Sequence, residues 1–247
     1  AAHERDGELP LVDVARLIPP KIGGLLRLRK AQLTHRLEHG REVDHVLLRC
    51  ATLGRQVPFD LLAQMLLLEA ESGHDLALAA HGRLGDHVRD IGREDILRII
   101  QGEDGQTELL FCQPLMHQIL EEDATEGQDA AALHRRAALA KYRFYSARKQ
   151  LDGHYHEIGL HYQHAGELTE AIRFLLEAAR CRINEGRLAQ AAFLLEKCRN
   201  VASAHTSLDG TRLRMLIALG YLRLRTGATA DFEALQVLAL RLAEHLE

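Results

Sequence analysis

The sequence predicts a mainly α protein, and three observations predict it. The 247 residues are 47% hydrophobic but only 4% aromatic, with no Trp. Cores must therefore be built from Leu and Ala, the residues with the best helix propensities. Val, Ile and Thr are comparatively sparse, which argues against a large sheet. The third observation is a repeat. Gly166 is followed by Leu168, Ala171, Leu175 and Ala178, and Gly186 by Leu188, Ala191, Leu195 and Cys198, at identical offsets. A Gly followed by apolar residues at helical spacing is a turn opening a helix. Repeating it after one helix length predicts stacked antiparallel helices, each burying its stripe against the last.

The chain reads in order as follows. Residues 1–20 give a loop, a short apolar element and a stop at Pro19-Pro20, where the second Pro suits a helix's first turn. A basic helix follows, with Leu25, Leu28, Leu33 and Leu37 as a partial apolar face. From Lys21 to Arg49 there are seven Lys/Arg against three acids. Val43–Leu53 reads as a helix ended by Gly54. Pro58 opens the next, with Phe59, Leu61, Leu62, Met65 and Leu66 as its buried side. A short apolar helix lies within 72–85. Residues 86–101 are expected to form a further helix, carrying Val88, Ile91, Ile96, Ile99 and Ile100. GEDGQ at 102–106 is a dense turn signal, and TELLFCQ at 107–113 is the best strand candidate. Helices followed by a strand and a new helix outline a small winged-helix-like domain. From Pro114 onward everything reads helical: 114–124, 129–147, the repeat region after a polar break at 148–153, 211–226, and a last helix around Phe232, Leu235, Leu238 and Leu242.

Chemistry is hard to find. There is no GxxxxGK[ST] phosphate loop, no GxSxG and no HExxH. No catalytic, cofactor-binding or metal-ligating residue is assigned, and no cofactor is expected. Of the fifteen His, His154, His156, His161 and His164 lie close together. A zinc site needs three or four converging ligands; here two sit at a helix start and His161 falls on a packing face. His117 and His134 read as isolated. Four scattered Cys without a CxxC pair read as reduced thiols in helical cores, from which cytoplasmic residence is the expectation. No stretch reaches the ~18 apolar residues of a membrane span. The charged opening AAHERDGE lacks an apolar signal core, and with no initiator Met the expectation is a fragment of a longer protein. Net charge is −4, which gives generic nucleic-acid binding little support. The 86–101 stretch, with Arg83 before it, holds Arg89, Arg93 and Arg98 against Asp86, Asp90, Glu94 and Asp95. That is no net charge, where a phosphate-contacting helix should be basic.

Several stretches together resemble a family. IPPKIGGLLRLRKAQL (18–33) and VDHVLLRCATLGRQVPFDLLAQML (43–66) look like the proline-led closing helix and the winged-helix opening of STAND-type signal-transduction ATPases. LFCQPLMHQILEED (110–123) resembles their strand-to-helix step, with Gln113-Pro114 where a basic-His pair is usual. LHRRAALAKY (133–142) and the 158–198 stretch resemble their entry into tetratricopeptide-like repeats. The resemblance spans about residues 17–200. It implies a winged-helix plus tetratricopeptide-like segment lying C-terminal to an ATPase module. Relatives are joined to a class III adenylyl or guanylyl cyclase of the soluble type, a kinase or a LuxR-type regulator. In such proteins the winged helix locks or releases the ATPase and the repeats sense a partner.

The expected domains are therefore 1–42, the tail of an upstream ATPase lid; 43–125, winged-helix-like; and 126–247, tetratricopeptide-like repeats. The expected function is non-catalytic: a regulatory, protein-interaction segment whose partners are the upstream ATPase domain and a protein held by the repeats. Arg27, Arg29 and Lys30 are the candidates for facing the ATPase. Tyr155, His156, Tyr162 and Gln163 are the candidates for lining the partner groove. The alternatives are a DNA-binding transcription-regulator segment of LuxR type and a structural scaffold of a larger assembly such as a ciliary complex.

Overall fold

Helices dominate the protein, as its Leu- and Ala-rich composition dictates. The structure, a computed structural model, describes residues 20–102, 105–203, 209–225, 235–240 and 243. The apolar element expected within 1–19, and Phe232 and Leu242 of the expected last helix, lie outside them. Two units separate, Ala1–Glu126 and Gly127–Glu247.

The first unit begins with α1 (Pro20–Arg36) and α2 (Gly40–Leu53). Pro20 starts α1 because its fixed φ and missing N–H suit a first turn. In α2, Val43, Val46, Leu47, Cys50 and Ala51 recur at helical spacing and are all buried. Gly54, at φ 137°, ends it, a conformation only glycine adopts without strain. Strand β1 (Gln56–Pro58) leads into α3 (Phe59–Glu71), then α4 (Asp75–Gly82) and α5 (Leu84–Arg93). Strands β2 (Leu97–Gln101) and β3 (Thr107–Phe111) form an antiparallel hairpin, and α6 (Pro114–Glu126) closes the unit. The sheet order is β1-β3-β2, with Val57 and Ile99 both opposite Leu109. Leu47, Leu61, Leu62, Met65, Ile91, Leu109, Phe111 and Met116 make its core.

The helix expected over 86–101 is corrected here. It stops at Arg93, and Ile99 and Ile100 belong to β2. Asp95 takes a left-handed φ of 53°, a conformation Asp tolerates better than most residues. Beyond it the β-branched run pairs with TELLF. A strand needs a ladder partner, and LRIIQ supplies it. The apolar face expected on α1 is also narrower: Leu33 is buried, but Leu25 and Leu28 are exposed.

The second unit is all helix among the described residues: α7 (Ala130–Ala147), a 3-10 turn (Leu151–Gly153), α8 (Tyr155–His164), α9 (Leu168–Asn184), α10 (Leu188–Ser203) and α11 (Asp209–Arg225). Each helix packs on the next. Residues 235–240 are helical again. The two glycines of the repeat hold the same left-handed conformation, Gly166 at φ 75° and Gly186 at φ 76°. The repeated positions behave alike: Ala171, Leu175 and Ala178 are buried, and so are Ala191, Leu195 and Cys198. Leu175, Ala178, Ala191, Leu195 and Cys198 join one core with Met215, Leu219 and Leu222 of α11.

Candidate functional site

The cations singled out on α1 are held within the first unit. Arg27 donates to Asp123 at 3.1 Å and to Glu122 at 3.4 Å, both on α6. Lys30 reaches Asp44 of α2 at 2.9 Å and Asp123 at 3.4 Å. Arg29 donates to the Glu94 carbonyl oxygen at 2.8 Å, and Arg36 pairs with the Glu94 carboxylate. These groups strap α1 onto α2, α6 and the end of α5. On α5, Arg89 pairs with Asp86 and Arg93 with Asp90. Arg98, expected on the same helix, sits on β2.

The groove candidates all lie on α8, in two roles. Tyr162 stacks on Phe174 of α9, with ring centroids 5.4 Å apart and planes at 9°. Tyr155 packs on the same ring at 6.2 Å. Both belong to a small core around Ala138, Ile158 and Phe174. His156 and Gln163, seven residues apart and so on one helix face, are half-buried. His156 Nε2 and Gln163 Oε1 are each enclosed without a hydrogen bond. Burial, and then nearby Lys197, hold the His156 imidazole below its ordinary range. The four residues therefore do not form one exposed lining.

The structure brings together a group that the sequence reading kept apart. His134 of α7 meets His161 and His164 of α8. The Nδ1 atoms of His134 and His161 are 3.1 Å apart. The rings of His134 and His164 stack at 4.9 Å and 27°. His134 is buried, and its Nε2 makes no hydrogen bond. Two residue pairs continue the seam: buried Lys141 donates to Glu157, and Tyr145 stacks on His154. Arg135 reaches Glu167, in the turn after α8, at 2.8 Å.

This seam favours the neutral form of His134 and His161. Burial, then the neighbouring His164, lowers His134 to about 4. Burial, then Lys141 and His134, lowers His161 well below its ordinary value. Burial alone would raise the Glu157 carboxyl, but His154 and Lys141 pull it down to about 2. Among the described residues no three His, Cys, Asp or Glu are placed to hold a metal ion.

Three cysteines sit on helices as the sequence reading expected, but Cys112 directly follows strand β3, its N–H bonded to the Ile96 carbonyl oxygen. Cys50, Cys181 and Cys198 are buried, Cys112 is half-buried, and all four are free. Burial pushes the Cys198 thiol up to about 12 and raises Cys50 further. Burial disfavours the thiolate that reacts or binds metal at both positions. No described helix is long and apolar enough to cross a membrane.

Comparison with known proteins adds no relative: no family model, no curated protein and no solved structure matches the chain.

Proposed function

We propose that this chain is a non-catalytic regulatory and protein-interaction segment of a larger signalling protein. Its second unit acts as a tetratricopeptide-like array that holds a protein partner. The observation that carries this reading is the twenty-residue repeat from Gly166 to Gly186. Two glycines in one conformation start two helices with the same burial pattern, and α11 extends their core. A unit built by adding equivalent helices gains exposed surface with each helix, and such surface serves recognition.

The first unit is read as winged-helix-like. A helix, a short strand, further helices and a β2–β3 hairpin, closing into the order β1-β3-β2, support that reading. With α1 strapped beside it, the unit suits a module that follows an ATPase lid in a STAND-type protein. A class III nucleotide cyclase is among the outputs that the resemblance in residues 17–200 implies. On this reading the segment works by biasing an equilibrium of its parent, which requires a partner with different affinity for the two states.

Immobilised full chain tests the reading, with retained proteins identified by mass spectrometry. Phe193 of α10 is 65% exposed, and aromatic side chains are enriched in interface centres. Phe193→Asp should abolish retention of a specific partner, while Arg93→Ala should not. Retention unaffected by Phe193→Asp and lost on Arg93→Ala would move the function to the first unit.

A further inference from the structure

The seam between α7 and α8 holds three imidazoles that cannot all take a proton in place. A hydrogen bond between two Nδ1 atoms needs one donor and one acceptor, so at least one ring must be neutral there. Two tautomers satisfy the 3.1 Å contact of His134 and His161. If His134 Nδ1 donates, its bare Nε2 would gain a proton with no acceptor, since that atom is enclosed and unpartnered. If His161 Nδ1 donates, protonation of His134 at Nδ1 sets two donors against each other. Either route leaves a buried cation without the hydrogen bond it needs.

The surrounding charges do not relieve this. Lys141 on α7 faces His161 as a second cation. Glu157 on α8 acts on His161 as a carboxylate, and it is already engaged by Lys141. Arg135 on α7 is matched by Glu167 in the turn into α9. His164 stacks on His134 from α8. On α9, Glu170 and Arg173 pair with each other on the Tyr162 side. His156 also lies on α8 but faces Lys197 and Arg182. It is a separate titrating group.

We propose that this seam is an acid-sensitive latch: proton uptake by the buried His134–His161 pair, on which His164 stacks, releases α8 from α7. Release parts Ala138 and Tyr142 of α7 from Ile158 of α8 and opens that side of the small core around Phe174. The latch couples pH to the first hairpin of the helical array, independently of which partner the array binds.

Backbone hydrogen exchange on the full chain tests it, read at pH 7.5 and pH 5 after correction for intrinsic rates. With His134 at about 4 in the closed seam and about 6.5 when open, the open fraction should rise roughly 30-fold over that interval. Protection of α8 amides in the wild type should fall by at least that factor, His161 adding to it, while α10 amides hold. In His134→Phe, which keeps a buried ring and removes that one titration, the loss of α8 protection should be clearly smaller than in the wild type, His161 keeping its own share. His156→Gln should behave as wild type. Unchanged α8 protection in the wild type overturns the proposal, as does a wild-type response in His134→Phe. Should His134→Phe fail to fold, the histidine Cε1–H resonances of the wild type decide. His134 titrating together with α8 opening supports the latch, and titration near 6.5 with α8 closed refutes it.

Discussion

Gly159 in α8 lies directly against Leu175 in α9: a methyl placed on Gly159 would fall 2.8 Å from Leu175 Cγ and 3.2 Å from the Ala171 carbonyl oxygen. The two helices cross with no room for a side chain at that point. Leu175 and Ala171 are also two of the four repeated positions, so one glycine seats α8 on the repeat.

Gly159→Ala should therefore destabilise the second unit. Overpacking costs about 1–3 kcal/mol, and the gain in helix propensity offsets at most about 1 kcal/mol of it. Gly85→Ala in α5 should do the opposite, because nothing lies within 4 Å of the added methyl. Urea midpoints of the two variants should move in opposite directions.

The tight joint of the first unit is Gly40. A methyl there would lie 1.6 Å from the Thr34 carbonyl oxygen, a backbone atom that cannot swing aside. Gly40→Ala should cost on the order of 3 kcal/mol or more, by forcing α1 off α2. Circular dichroism melts will show it as a lower and broader transition. A variant with the wild-type midpoint would refute the α1–α2 joint.

Glu69 is fully buried in α3 and receives hydrogen bonds from His45 Nε2 at 2.9 Å and Arg49 Nε at 3.0 Å. Burial alone would raise its carboxyl, but His45 and Arg49 outweigh that and hold it below the ordinary range. Glu69→Ala leaves a largely buried guanidinium unpaired and should cost about 3–5 kcal/mol. Glu69→Gln, which keeps acceptor capacity, should cost less. Denaturant unfolding of the three proteins ranks them.

The pH dependence follows from the signs. His134 is depressed in the folded state, so the unfolded chain binds its proton more readily. Stability is unaffected above about pH 6.5 and falls as the pH drops toward 4, by on the order of 3 kcal/mol in total. Glu157 is also depressed, but as a carboxylate. Its contribution stands above its unfolded value near 4.5 and disappears only as the pH falls toward 2. Urea unfolding at pH 7.5, 5.5 and 4.5 should thus show the His134→Phe protein losing less stability than wild type.

Much of the fold was legible because its signals are local. Gly54, Pro58, Pro114 and the two repeat glycines mark element ends through their own backbone preferences. The β2 strand was not legible, because Ile96, Ile99 and Ile100 extend the helical spacing of Val88 and Ile91. Only pairing with Leu109 decides between the two structures. The histidine seam was hidden for a related reason. His134 and His161 are 27 residues apart, and no local pattern connects them. The signal available was symmetry about the 148–153 turn: folding the chain back there sets Tyr145 by His154, Lys141 by Glu157 and His134 by His161. The charges on α1 were visible, but their partners Asp123, Asp44 and Glu94 come from three other elements.

Those α1 pairs predict a salt effect. Arg27 is about half exposed and Lys30 largely covered. Each exposed pair contributes up to about 1 kcal/mol, and less at high ionic strength. Hydrogen exchange of α1 should quicken between 50 mM and about 1 M NaCl, with α3 unchanged. Asp123→Asn should remove most of that dependence.

The most direct measurement is a hydrogen-exchange footprint of the full chain under two loads, a retained protein partner and a short DNA duplex at low salt. The account predicts protection by the protein partner on α9 and α10, and no protection by duplex on α5 or the β2–β3 hairpin. Protection of α5 and the hairpin by duplex, lost on raising the salt, with no footprint on the array, would contradict it.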